Sequence, residues 1–147
     1  MRGRSKTAEF TRAHVEELVP LLDATFRTDA RREARAVLGP GSSSFATLYV
    51  ALHHPETISR AAVQSYRHGD LEEELMTAAS GEPHDVELLF HWSSYDRVNT
   101  RLEAESVVAV LEQSGYHPTI FESNDGVGWG MWQGRIAEIL EALFPLE

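Results

Sequence analysis

The seven residues Val86–Trp92, VELLFHW, constrain this chain more than any other segment. A run this short and nearly continuous in apolar character reads as a strand covered on both faces, the situation of a strand inside a parallel sheet. Three more short runs of similar kind stand at Ala34–Leu38, Ala61–Gln64 and Pro118–Glu122. Segments with helical spacing lie between them. Thr7 to Phe26 places Phe10, Val15, Leu18, Leu21, Leu22 and Phe26 at helical intervals, with Pro20 predicting a break. A helix is predicted from Ser42–Ser44, whose hydroxyls offer N-caps, to about His53, stopped by Pro55. Asp70–Ala79 reads as a helix ended by Gly81 and Pro83, Thr100–Gln113 as an amphipathic helix closed by Gly115, and Ile136–Phe144 as a last helix ended by Pro145. Strands alternating with helices predict an α/β fold of about four mostly parallel strands with helices on both faces. In such sheets a site lies at the carboxyl ends of the strands. Those ends are Gly39–Ser44, Ser65–His68, Trp92–Asp96 and Ser123–Trp129.

At 147 residues the chain is sized for one domain, 1–147, with 1–33 as a helical lead into the first strand. The formal net charge of −10 argues against a nucleic-acid or anionic-membrane partner, because phosphate binding relies on clustered Lys and Arg. The one local basic stretch, Arg27 to Arg35, carries Asp29 and Glu33 within it and reads as a solvated turn. Glu72-Glu73-Glu74 reads as a solvated helix face. With no cysteine, disulfides, thiolate metal sites and cysteine nucleophiles are all excluded. No stretch is long and apolar enough to span a bilayer, and no apolar region follows the basic N-terminus, so a cytoplasmic location is expected.

Four stretches carry a family resemblance. GPGSSSFATLYVALHHPETISRAAVQS (39–65) resembles the elbow, helix and next strand of the putative esterase family that includes enterochelin esterase. AEFTRAHVEELVPLLDATFRTDARREARAVLG (8–39) is similar to the helix that leads into that elbow. SSYDRV (93–98) and RLEAESVVAVLEQSGYHPTIFESNDGVGWGMWQGR (101–135) resemble the acid loop, helix and histidine loop. The resemblance implies part of an α/β-hydrolase fold, its C-terminal half, and a serine hydrolase ancestry. It also implies a nucleophile elbow of the form G-x-S-x-G and a G-H-D-W loop after the last strand. Aligned on ALHHPE, Gly39 takes the first glycine, Gly41 the nucleophile and Ser43 the last glycine. Val127, in Gly126-Val127-Gly128-Trp129, takes the histidine position, and Asp96 is left as the acid. The family strand that supplies part of the oxyanion hole would precede Ala8.

Three readings follow. The first is a catalytically silent relative that acts through binding or association. The second is a carboxylic-ester hydrolase completed by a partner chain, or one using Ser42 with Asp96. The third is a pocket for a small ester or siderophore-like ligand, with His68, His91 and Trp129 as its binding residues. Ser42, Ser43 and Ser44 are more simply helix caps, and the three tryptophans are more simply core residues whose indole N–H groups need partners. The seven histidines show no ligand spacing such as H-E-x-x-H; His53 and His54 suit a helix end, and His84, His91 and Asp96 would have to converge near the third strand. No metal and no cofactor is expected. Arg35–Leu38 is left with an open edge, expected to be covered by the N-terminal helix, a second copy in a homodimer, or a separate chain.

Overall fold

The computed structural model describes residues 2–68 and 72–145, with side chains for 6–68 and 73–145. Four strands form one parallel sheet in the order β1-β2-β3-β4: β1 (Ala36–Pro40), β2 (Arg60–Gln64), β3 (Glu87–Ser93) and β4 (Thr119–Ser123). The register sets Leu38 beside Ala62, Ala62 beside Leu89, and Leu89 beside Thr119. The helices are α1 (Arg2–Ala13), α2 (Val19–Thr25), α3 (Ser44–His53), α4 (Glu72–Ala79), α5 (Val98–Gln113), α6 (Trp129–Gly134) and α7 (Ile136–Leu143). The first two residues of the expected Asp70–Ala79 helix lie outside the described residues.

Alternation along each strand divides the core in two. Val37, Ala61, Val63, Leu88 and Phe90 face α3, α4 and α5, meeting Leu48, Leu52, Leu75, Val107 and Leu111 in the larger cluster. Ala36, Leu38, Ala62 and Leu89 face the other way and meet Ile139 and Leu143 of α7. At about 1.5–3 kcal/mol for each large side chain fully buried, the first face carries most of the stabilisation from apolar burial. Helix α5 ends in the Schellman pattern, with Gly115 N–H donating to the Glu112 carbonyl at 3.0 Å and Tyr116 N–H to that of Leu111 at 3.0 Å.

The structure corrects the reading of the N-terminal segment. Pro20 does not break the helix. The turn before it, His14–Leu18, widens to a π-helix, and the Val19 N–H bonds the His14 carbonyl five residues back. That widening absorbs the backbone donor that proline lacks. The helical segment lies beside β1, where His14, Leu18 and Leu22 share a cavity wall with Ala36 and Val37, and Asp23 pairs with Arg35. Among the described residues no strand pairs with the outer edge of β1, and Ala36, Val37 and Leu38 stay half-buried. Phe10, Leu21 and Phe26 are all more than half exposed.

The basic stretch is largely neutralised locally. Arg31 forks onto Asp29, which holds that carboxyl at about 2, well below its ordinary range, while Arg32 reaches the Pro55 carbonyl at 2.9 Å and Asp85 at 3.3 Å. Glu74 departs from the solvated face expected of it: it is half-buried, and its Oε2 has no hydrogen-bond partner among the described residues. No helix among the described residues is long and apolar enough to cross a membrane.

Candidate functional site

The strand tips are built first by β1. It runs through Gly39 and Pro40 before a single 3-10 turn, Gly41–Ser43, delivers the chain into α3. Gly39 is required by close packing: a Cβ there would overlap Thr47 Oγ1 and come within 2.9 Å of the Ser43 carbonyl oxygen. Gly41 is required by conformation, since its φ of +53° lies in the left-handed region that side chains disfavour. The serines do not cap the helix as expected. Ser43 Oγ donates back to the Pro40 carbonyl at 2.7 Å and Ser44 Oγ to that of Gly39 at 3.2 Å, and no side chain bonds the helix N-terminus. Ser42 makes no side-chain hydrogen bond among the described residues and faces a cavity shared with His68.

Directly over Gly41 stands the indole of Trp132, from α6. Its Cη2 lies 3.1 Å from where a Cβ on Gly41 would sit. The indole Nε1–H donates to Ser65 Oγ at 2.9 Å, and Ser65 Oγ donates to Asp96 Oδ2 at 2.7 Å. Asp96 Oδ2 also accepts from the Ser93 backbone N–H at 3.0 Å. Ser65 ends β2 with φ +50°, the one non-glycine residue at positive φ among those described. A serine held there costs on the order of 1–2 kcal/mol, offset by two hydrogen bonds and by its N–H to the His91 carbonyl at 2.8 Å. A line of contacts thus runs from Asp96 through Ser65 and the indole to the elbow glycine. Among the described residues no imidazole is hydrogen-bonded to Ser42, Ser65 or Asp96.

One serine–histidine pair does form. His91 Nε2 lies 3.0 Å from Ser123 Oγ, and His91 Nδ1 lies 3.3 Å from Gln64 Nε2. The same Gln64 Nε2 donates to the Trp132 carbonyl at 3.1 Å, which fixes the direction of the amide. An amide nitrogen facing Nδ1 requires that Nδ1 be the acceptor, so Nε2 carries the proton and donates to Ser123. That is the wrong tautomer for drawing a proton from the serine. Both residues are buried, His91 at 1% exposure and Ser123 at 6%. Burial pushes the His91 imidazole below its ordinary value of 6.5, the Arg135 charge adds to this, and Asp96, Asp125 and Glu138 oppose it.

That depression has a sign in stability. Unfolded, His91 takes up a proton below about pH 6.5, while folded it resists protonation until a lower pH. The unfolded state therefore binds more protons in between, and stability falls on acidification through that window. Above pH 6.5 the effect vanishes. Urea unfolding at steps from pH 7.5 to 5 is expected to show the fall, and His91→Asn to show a shallower one. Parallel slopes for the two proteins would rule out His91 as the cause.

The sequence-predicted residues scatter. Ser42 and Asp96 are not brought together, for Asp96 is held by Ser65 and Ser93. His68 lines the cavity at Ser42, with its ring 3.8 Å from Glu103. His91 is locked inside the sheet, against Phe121 with ring centroids 5.0 Å apart. Trp129 is 75% exposed, and Val127 is also exposed after β4. Trp92 is a core residue whose Nε1 has no partner among the described residues. His84 precedes β3, far along the chain from the strand tip, where its N–H bonds Tyr116 Oη at 3.2 Å. No group of three or more His, Asp or Glu among the described residues could hold a metal ion. Ser65, and the placing of Trp132 over Gly41, are what sequence reasoning missed. The strand-end rule marked Ser65's segment, but nothing in the sequence joined it to Trp132.

The profile of the putative esterase family matches residues 2–138. The chain belongs to that family. Its fold is the α/β-hydrolase type of these esterases, shared with enterochelin esterase from Shigella flexneri at a TM-score of 0.79 and 21% identity. That match covers 94% of this chain and 37% of the other. Ferric enterobactin esterase from Salmonella typhimurium gives 0.78 at 19% identity, over 98% of this chain and 40% of its own. S-formylglutathione hydrolase from Staphylococcus aureus gives 0.75 at 12% identity, over 94% and 62%. Comparison with curated proteins returned no match. This family member thus spans well under half the length of the two enterobactin-type esterases.

Proposed function

We propose that this esterase-family chain is catalytically silent and acts by binding or association. The observation that carries the reading is the elbow: Gly41 offers no oxygen at the turn after β1, and the space above it is filled by the Trp132 indole. Val127 supplies no base, and the one serine–histidine pair among the described residues is buried in the non-catalytic tautomer. Loss of a nucleophile or of its base each costs about 10⁶ in turnover in a protease where both were removed singly. The second reading, hydrolysis by Ser42 with Asp96, finds no support in the hydrogen bonds, since the carboxylate is already engaged. The reading extends to association through β1. A second copy or a separate chain is proposed to cover Arg35–Leu38 and the exposed Leu21 and Phe26 beside it, because an unpaired strand edge invites pairing.

Hydrolysis of 4-nitrophenyl acetate is expected to match the uncatalysed rate. Turnover that disappears in Ser42→Ala or in Ser123→Ala would overturn the silent reading, and each variant names its own nucleophile. Light scattering on the same preparation is expected to give at least twice the chain mass, and a stable monomer would sink the proposed pairing at β1.

A further inference from the structure

The cavity beside the elbow, about 560 Å³, lies within the range of small-molecule sites. Its floor is apolar, made by Phe10 of α1 and by Phe45 and Ala46 of α3. Its rim is cationic. Lys6 reaches it from α1, and Arg67 and His68 from the loop after β2. In a chain with 23 acidic residues against 13 basic ones, no Asp or Glu among the described residues lines this cavity. Among the described residues neither Lys6 nor Arg67 forms an ion pair, whereas arginines elsewhere, such as Arg31, Arg101 and Arg135, are matched to carboxylates. His68 is different, since Glu103 stands behind its ring and accepts its backbone N–H at 3.1 Å. Two unmatched cations over an apolar floor, more than half of Phe10 being exposed, form a surface that water serves poorly and an anionic amphiphile serves well.

We infer that this cavity binds a small carboxylate carrying an apolar chain, with Lys6 and Arg67 taking the head group and Phe10, Phe45 and Ala46 the tail. The guanidinium of Arg67 can hold both carboxylate oxygens, and the Lys6 ammonium adds a second charge. Ser42, on the same wall, has a free hydroxyl for a further hydrogen bond. The inference rests on reading the chain as a binder, because a bound carboxylate is the product side of ester cleavage and has no leaving group to lose.

Octanoate is the probe, followed by amide chemical shifts in ¹H–¹⁵N spectra of the full chain. Saturable binding is expected, with the largest shifts at Phe10, Phe45, Ala46 and Arg67. Hexanoate should bind more weakly by roughly two- to fourfold for each methylene removed. Octan-1-ol should bind at least about fivefold more weakly, and the double variant Lys6→Glu/Arg67→Glu about tenfold or more. Both substituted side chains are exposed, and unchanged spectral dispersion would show that the variant folds. The inference is overturned if octanoate fails to saturate below about 10 mM, if the double variant binds it equally, or if the shifts map elsewhere. Turnover of 4-nitrophenyl octanoate that vanishes in Ser42→Ala would refute silence and leave the carboxylate site standing. Absent binding with no turnover would refute the site alone.

Discussion

Gly39→Ala is expected to destabilise the fold by about 2–3 kcal/mol, the upper part of the range for forcing an extra carbon into a packed site. For a domain of this size that corresponds to a fall in melting temperature of roughly 5–10 °C. The cause is specific. The added carbon meets Thr47 Oγ1 and the Ser43 carbonyl together, so β1 and the first turn of α3 must move apart. A side chain can rotate away, but the carbonyl belongs to the elbow backbone and cannot. Combining Gly39→Ala with Thr47→Ala should therefore recover only part of the loss, and that incomplete recovery is the signature of the backbone contact. Urea unfolding of the three proteins measures it. A cost below about 0.5 kcal/mol for Gly39→Ala would mean that strand and helix are not seated as described.

Trp132→Ala carries the second large effect. A fully buried tryptophan cut to alanine costs about 3–5 kcal/mol, and this indole is half-buried, which places the expectation at about 2–3 kcal/mol. Part of the loss is polar, for Ser65 Oγ loses a donor while still held at positive φ. Trp132→Phe separates the parts, keeping most of the volume over Gly41 and losing only the Nε1 bond, for about 1 kcal/mol. Equal losses in the two variants would show that the hydrogen bond, not the packing, holds α6 down. The functional expectation is equally definite. Gly41→Ser in the Trp132→Ala background has room for a hydroxymethyl group yet still lacks a base, and should hydrolyse 4-nitrophenyl acetate no faster than its parent.

The sheet was legible because each strand is a short apolar run punctuated by glycine or proline, and VELLFHW alone demanded a covered parallel strand. Its faces were not separable by pattern, since nearly every position of β3 is buried. Helix α6 is not legible in the sequence. WGMWQG contains two glycines and no repeating apolar stripe, and it becomes helical only because Met131 finds the core and the Trp132 carbonyl finds Gln64. The proline in the first helix was visible, but the π turn that accommodates it is a cooperative adjustment over five residues. At the site, the glycine at the elbow could be read from its neighbours in sequence. The tenant of the space above it could not. Trp132 and Gly41 are ninety-one positions apart, and Ser65 joins them only once β1 and β2 lie side by side. Trp129, favoured because it follows a strand, projects into solvent, whereas its neighbour three residues on turns inward.

Gln64 is hemmed in between a histidine and a tryptophan backbone, and its carbonyl oxygen Oε1 is buried with no donor among the described residues. A proton arriving on His91 Nδ1 sets two donors against each other, and the spare oxygen is the natural relief. Reversing the amide to offer it withdraws the nitrogen from the Trp132 carbonyl. Acid would then be felt at a distance, as a loosened anchor for the short helix that carries the indole, and near-ultraviolet circular dichroism of Trp132 should change before the sheet itself comes apart.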